Sequence, residues 1–365
     1  MKLAATTVIR HSVIGQEATG QLLVIDWDRG EIEKAMPVPL PKHPSSNANP
    51  RGGLRGGRGI KFWKDHCYVA NYDTVYVYDR EWTQIGEISH PLATDIHEID
   101  IGPQGLWLSC SRYDLILQLS FKGDLLAHWH ISNATGLMRE LKINVPPLDL
   151  DHDYRKNSPS GLDRTHLNCV QSQADGSLIV HLGLVHPEGL LHRVLRRLLP
   201  PSGFEAHRMG LLQRRLYEYA QGSSSYVVRL HGPNLSQIDI LARFPALRPN
   251  HNGQILDDGR VVVASERKEL VVNEARTGRT LCRVPLPAKW VRGLVQIGPE
   301  RLLVGTAPCA VLEVDLVEGR VLRQLAISDH PLEALHGLAV FPGNAPDANP
   351  APLTHSNTII DFARG

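Results

Sequence analysis

No stretch of this sequence approaches the roughly 20 consecutive apolar residues that a membrane span requires. The opening segment carries Arg10 and His11 where an export signal would need an unbroken apolar core. Charge of one sign is also lacking. Lys and Arg number 39 against 38 Asp and Glu, a formal charge of +1, so there is no global field to gather nucleic acid or anionic lipid. Cysteine is sparse: five residues at 67, 110, 169, 282 and 309, an odd number with no CxxC pair. That pattern reads as reduced thiols in a cytoplasmic protein and excludes a disulfide framework. Gly and Pro, by contrast, are plentiful at 31 and 25, beside 42% hydrophobic and 21% charged residues. So many breakers exclude a long helical bundle, and so much apolar content excludes a disordered chain. Turn-rich all-β structure remains.

Repetition is the strongest pattern present. One unit reads Asp95-Ile-His-Glu-Ile-Asp-Ile, a turn at 102–105, Leu106-Trp-Leu-Ser-Cys, a hairpin at 111–114, then Leu115-Ile-Leu-Gln-Leu. Two others run Asn250-His-Asn-Gly-Gln-Ile-Leu, Arg260-Val-Val-Val-Ala, Glu269-Leu-Val-Val-Asn, and Val291-Arg-Gly-Leu-Val-Gln-Ile, Arg301-Leu-Leu-Val-Gly, Ala310-Val-Leu-Glu-Val. Apolar runs of about five residues bounded by turn residues are strands. Four strands per unit at spacings near 40 predict the blades of a six-bladed β-propeller, a single domain over 1–365. The sixth blade is split: its first strand is Leu335–Phe341, and the other three come from the N-terminus at 6–9, 21–26 and 31–34. Closing a ring with both chain ends removes exposed sheet edges.

Aligning the first strands brings Arg58, His97, His166, His251, Arg292 and His336 into register, at steps of 39, 69, 85, 41 and 44. The two long steps hold a loop insertion at 132–165 and a small helical insertion at 187–224. The tail, 342–365, is rich in Pro, Asn and Ala. First strands line a propeller's axis, so the six residues form a ring at one mouth of the channel. The longer loops gather on that same face and predict a lid over a site held by a rigid scaffold.

Four imidazoles converging on one axis suit Fe(II), Zn, Cu or Ni. With histidine as the ligand type and coordination positions left open, Fe(II) is the favoured metal. His97, His166, His251 and His336 are the expected ligands. Arg58 and Arg292 would repel a dication unless an anion joined them, so they are assigned the catalytic task of orienting a small anionic substrate. Arg55, in the flexible Gly52–Gly57 loop, and Arg112, Tyr113, Asn168, Asn252 and Trp290 are the expected substrate contacts. The bland alternative is that polar residues merely line a wet channel. Strict strand alternation sends Glu98 into the blade layer, against a neighbouring arginine; Glu98 and Asp95 could otherwise support His97. His181 reads as a satisfied core histidine, and Cys110 and Cys169 as small core residues.

Asp163-Arg-Thr-His-Leu-Asn168, followed by Gly176-Ser-Leu-Ile-Val-His-Leu-Gly183, resembles an uncharacterised bacterial propeller family of the conserved hypothetical, tetratricopeptide-associated type. Arg248-Pro-Asn-His-Asn-Gly253 and Trp290-Val-Arg-Gly-Leu294 are similar to two more of its blade starts. The plan is also similar to that of arylsulfate sulfotransferases, which implies a histidine nucleophile, and of carotenoid-cleaving oxygenases, which implies iron among four histidines. The functional expectation is therefore a metalloenzyme, an oxidoreductase in preference to a lyase. The alternatives are metal-free sulfuryl or phosphoryl transfer through a ring histidine, and a non-catalytic propeller that binds a ligand or partner.

Overall fold

The computed structural model describes residues 1–10, 19–43, 56–156, 162–188, 222–275 and 277–342. They form six antiparallel four-stranded sheets, and the first strands of successive sheets touch in cyclic order. This is a six-bladed β-propeller. Blade 1 runs over Ile60–Trp63, His66–Ala70, Val75–Tyr78 and Gln84–Ile88, and blade 2 over Ile96–Gly102, Gly105–Cys110, Leu115–Leu119 and Leu125–His130. Blade 3 comprises Leu167–Ser172, Leu178–Val185, Ser224–His231 and Gln237–Pro245; blade 4 comprises His251–Ile255, Arg260–Ser265, Glu269–Glu274 and Thr280–Pro285. Blade 5 spans Trp290–Gly298, Arg301–Ala307, Ala310–Asp315 and Arg320–Ala326.

Blade 6 is the split one. Strand Glu333–Val340 pairs antiparallel with Lys2–Ile9, which leads to Gln21–Asp26 and Glu31–Pro37. Thr6 ties this closure to the next blade: its hydroxyl donates to the Arg58 carbonyl and accepts the Gly337 N–H at 2.9 Å.

The middle strands are near-continuous apolar runs because both of their faces are buried. Leu115, Leu117 and Leu119 enter the seam between blades 1 and 2, while Ile116 enters the seam between blades 2 and 3. Ile179 faces blade 4, and its neighbours Leu178 and Val180 face blade 2. Six apolar clusters fill the six seams in this way. Each fully buried Leu, Ile or Val contributes about 1.5–3 kcal/mol. Fourth strands such as Glu31–Pro37 are largely exposed, as outer edges should be.

The two insertions are described unequally. Residues 189–221 of the helical insertion lie outside the described residues, as do 343–365 of the tail and the loop that carries Arg55. Within 132–165, a seven-residue helix, Thr135–Leu141, buries Leu137 and Leu141 in the seam of blades 2 and 3. Tyr154 packs against Tyr113 in the preceding seam. The described part of this segment is thus anchored to the blades through its apolar residues.

Candidate metal centre

Five of the six first strands carry a β-bulge at or beside the ring position. The register slips between Ile96 and Ile99, Leu167 and Cys169, His251 and Gln254, and Arg292 and Leu294, and opposite Thr6–Thr7 in blade 6. A bulge inserts one residue, breaks the period of two and re-aims the local side chains. His97 and Glu98 therefore both serve the channel although they are consecutive. So do His251 and Asn252, the latter at φ 49°.

The imidazole nitrogens of His97, His166 and His251 lie within 4.8 Å of one another. Their ring centroids are 5.4–5.5 Å apart pairwise. His336 places its ring 5.3 Å from that of His97, outside the group of three. His97 and His251 are buried, while the His166 side chain is 21% exposed and is the group's route to solvent.

Burial depresses the pKa of His97 well below the ordinary value, and the Arg58 charge and the other ring histidines add to this. His251 is lowered in the same way by burial and then by Arg292. Both are held as neutral imidazoles, the form that ligates a metal. His251 Nδ1 is buried with no hydrogen-bond partner among the described residues, which is costly unless something else takes its lone pair or proton. A cation among three imidazoles is what that donor set fits. Nitrogens bound to one ion about 2.1 Å away sit roughly 3–3.5 Å apart, so uptake would draw the rings inward by about 1 Å.

His166 is held by its own loop. Asp163 Oδ1 accepts the His166 backbone N–H at 2.8 Å, and Oδ2 sits 2.9 Å from His166 Nδ1, which leaves Nε2 as the nitrogen available to a metal. From blade 2, the buried Asp114 accepts the N–H groups of Arg164, Thr165 and Leu167 at 2.7, 2.9 and 3.2 Å and the Thr165 hydroxyl at 2.7 Å. Burial and the neighbouring Asp163 carboxylate push Asp114 upward, while its donors oppose them. His166 itself has φ 49°, an unfavourable region for a residue with a Cβ, and these bonds over-determine it. Neither aspartate was singled out from the sequence, although Asp163 opens the motif that carried the resemblance.

The other expected site residues are placed as follows. Arg58 is buried and donates to Asp95 at 2.8 Å and to the Ile96 carbonyl at 2.6 Å, so its charge is matched within the fold. Asp95 therefore serves Arg58. Arg292 donates to the Val291 carbonyl at 2.9 Å beside His251. Glu98, which strict alternation sends to the blade layer and the other reading sets behind His97, accepts from Asn252 Nδ2 at 2.7 Å across the channel; the bulge is the reason. Burial raises its pKa to about 7, with the Asn252 bond opposing.

Asn168 donates to the Asn250 carbonyl at 2.7 Å and meets His181 Nδ1 at 2.8 Å, joining blades 3 and 4. Arg112 donates to the Tyr72 hydroxyl at 3.1 Å. Tyr113 is fully buried in a seam, away from the ring. Trp290 lies under the Arg10 guanidinium, 3.5 Å from its ring centroid. His181 is buried as expected, yet its Nε2 has no hydrogen-bond partner.

No family model matches the chain, and no curated protein matches it. Among solved structures it is similar to a protein of unknown function from Bacteroides caccae, at 13% identity and a TM-score of 0.52, covering 92% of this chain and 98% of that one. It is also similar to a chain of a nidogen/laminin complex, at 9% identity and a TM-score of 0.53, covering 92% and 97%. At such identities the likeness shows the propeller fold alone.

Proposed function

We propose that this protein is a metal-dependent enzyme whose centre is held by His97, His166 and His251, with a small anionic organic molecule as substrate. The observation that carries the reading is the convergence of three imidazoles from three blades, two of them buried and neutral and one with an orphaned nitrogen. Of the metals an all-imidazole set suits, Fe(II) is our choice for an oxidoreductase, ahead of Zn, Cu and Ni. When bound, the metal would supply Lewis-acid or redox chemistry at the open side of the cluster. His336, beside His97, is placed to support that ligand. Arg292, next to His251, would draw the substrate's anionic group towards the cluster, with Arg58 adding a field that Asp95 already offsets. The five cysteines are free thiols, which supports a reducing compartment such as the cytoplasm. No described helix is long and apolar enough to cross a membrane.

Elemental analysis of protein purified without added metal tests the reading. About one equivalent of a transition metal is expected, lost in His166→Ala and His251→Ala variants that keep the all-β circular dichroism spectrum. Unchanged metal content in both variants removes the assignment.

One observation favours a second reading. Asp163 orients His166, the most exposed of the three imidazoles, much as a carboxylate orients a histidine base or nucleophile. Sulfuryl or phosphoryl transfer through His166 would survive chelation and leave a covalent histidine adduct that mass spectrometry detects.

A further inference from the structure

Past the histidine ring, the same first strands continue along the axis and enclose a second space. This cavity of about 300 Å³ is lined by residues of all six blades and lies at the small end of the range for ligand sites. Its lining is mixed: Ile60, Phe62, Leu294, Val295 and Leu338 of blades 1, 5 and 6 supply apolar surface, beside a polar set that includes Lys61 and Glu98. Its one cation, Lys61, is committed to Asp100 at 3.4 Å, and the side-chain polar atoms left over are acceptors. Asn252 Nδ2 is committed to Glu98 Oε1, which leaves Asn252 Oδ1 and Glu98 Oε2 with no hydrogen-bond partner among the described residues. Gln254 Nε2 is committed to the Leu294 carbonyl, which leaves its Oε1. Gln171 is satisfied at both ends by the Ile255 backbone. The Gln254 orientation is fixed because a carbonyl can only accept, and that of Asn252 is fixed when Glu98 is ionised, as it is at pH 8.

Charge points the same way. The two other acid–base pairs along the channel are self-matched: Arg58 with Asp95, and Lys61 with Asp100 at 3.4 Å. Glu98, more than nine-tenths buried, feels the Lys61 and Arg58 charges but makes no direct ion pair among the described residues. A ligand complementary to this space must donate hydrogen bonds, carry positive charge at one end and present a short apolar body at the other. We infer that the axial cavity is a binding site for a small primary alkylammonium compound, its ammonium donating to Glu98 Oε2 and Asn252 Oδ1 and its chain lying against Phe62, Leu294 and Leu338.

The site is distinct from the histidine cluster and needs no metal. Metal-stripped full-length protein at pH 8 is titrated with butylammonium, butyrate and n-butanol, with binding followed by NMR shift changes. Saturable binding of butylammonium is expected, at least tenfold tighter than that of either of the other two. Glu98→Gln, which can still accept from Asn252, should weaken it at least tenfold. Val295→Trp, which fills the space from one wall and leaves the acceptors alone, should abolish it. The inference is overturned if butylammonium does not saturate, if butyrate or butanol binds as tightly, or if both variants bind like the parent. Because the assay contains no metal, its outcome leaves the metal reading standing or falling on its own test.

Discussion

Asp163 grips His166 at two points, the backbone N–H at 2.8 Å and the ring Nδ1 at 2.9 Å, and so fixes both the strand's entry and the tautomer of the imidazole. Partners of this kind typically alter metal affinity by 10–100-fold. Asp163→Ala should therefore weaken metal binding by about that factor while the melting temperature of the metal-free protein changes little, since Asp163 is exposed. Equal affinities in a competition titration against a chromogenic chelator would show that Asp163 does not orient the ligand.

Asp114 acts on the same loop from the neighbouring blade and should behave differently. It is fully buried and accepts four hydrogen bonds. Removing it strands three backbone donors and a hydroxyl, at roughly 1–3 kcal/mol for each group left unsatisfied. Asp114→Ala is expected to lower stability by several kcal/mol as well as metal content. Urea unfolding reads the first effect, and a midpoint within error of the parent's would contradict it.

Gly183 lies where the second strand of blade 3 passes close to the His166 entry and to Asn250 of the next blade. A Cβ there would lie 2.2 Å from Asn168 Nδ2, 2.6 Å from the Asn250 carbonyl oxygen and 2.9 Å from that of His166. Two of those neighbours are backbone and cannot swing aside. Gly183→Ala should cost about 1–3 kcal/mol through overpacking and push His166 out of the cluster. Loss of metal binding in a folded G183A protein is the expected result; full metal occupancy would mean that the ring tolerates the shift.

The blades were legible because each middle strand is buried on both faces, as Leu115–Leu119 shows, and a short apolar run closed off by turns at both ends is too brief for a buried helix. The ring was legible because each first strand, in itself or within two residues of its start, carries an arginine or histidine at an equivalent position. What alternation could not supply was the bulge: nothing local in Ile96-His-Glu-Ile99 announces an extra residue, so strict alternation alone sends Glu98 to the wrong layer. Tyr113 was misplaced for a related reason. The turn of 3-10 helix at Ser111–Tyr113 ends on Asp114 at φ 48°, which turns the tyrosine into the seam against Tyr154. Contacts between blades, such as Asp114 with the His166 loop, leave no mark in the sequence of either partner.

His181 makes stability depend on acid. Burial and then the nearby His166 lower its pKa to about 3, against roughly 6.5 in an unfolded chain. Below pH 6.5 the unfolded chain takes up the proton first, so the contribution present at neutral pH is lost as pH falls, by about 3 kcal/mol at pH 4. His181→Gln should flatten the fall in urea midpoint between pH 6.5 and 4. Superimposable pH profiles would place the acid sensitivity elsewhere.

Glu98 works in the opposite sense. Burial raises its folded pKa to about 7, above the roughly 4.3 of an exposed glutamate. The unfolded chain then releases its proton first. Glu98's contribution is fully present below about pH 4.3 and is lost as pH climbs to 7, by about 3 kcal/mol in the metal-free protein. Glu98→Gln keeps an acceptor for Asn252 and cannot ionise, so its gain over the parent should be near zero at pH 4.3 and about 3 kcal/mol at pH 7. A positive charge in the axis removes the cost of the buried carboxylate. Loading the parent with metal or with butylammonium should therefore shrink the gap between the two proteins at pH 7, each ligand acting from its own side of Glu98. If the gap in unfolding free energy is the same with and without either ligand, Glu98 feels neither of them.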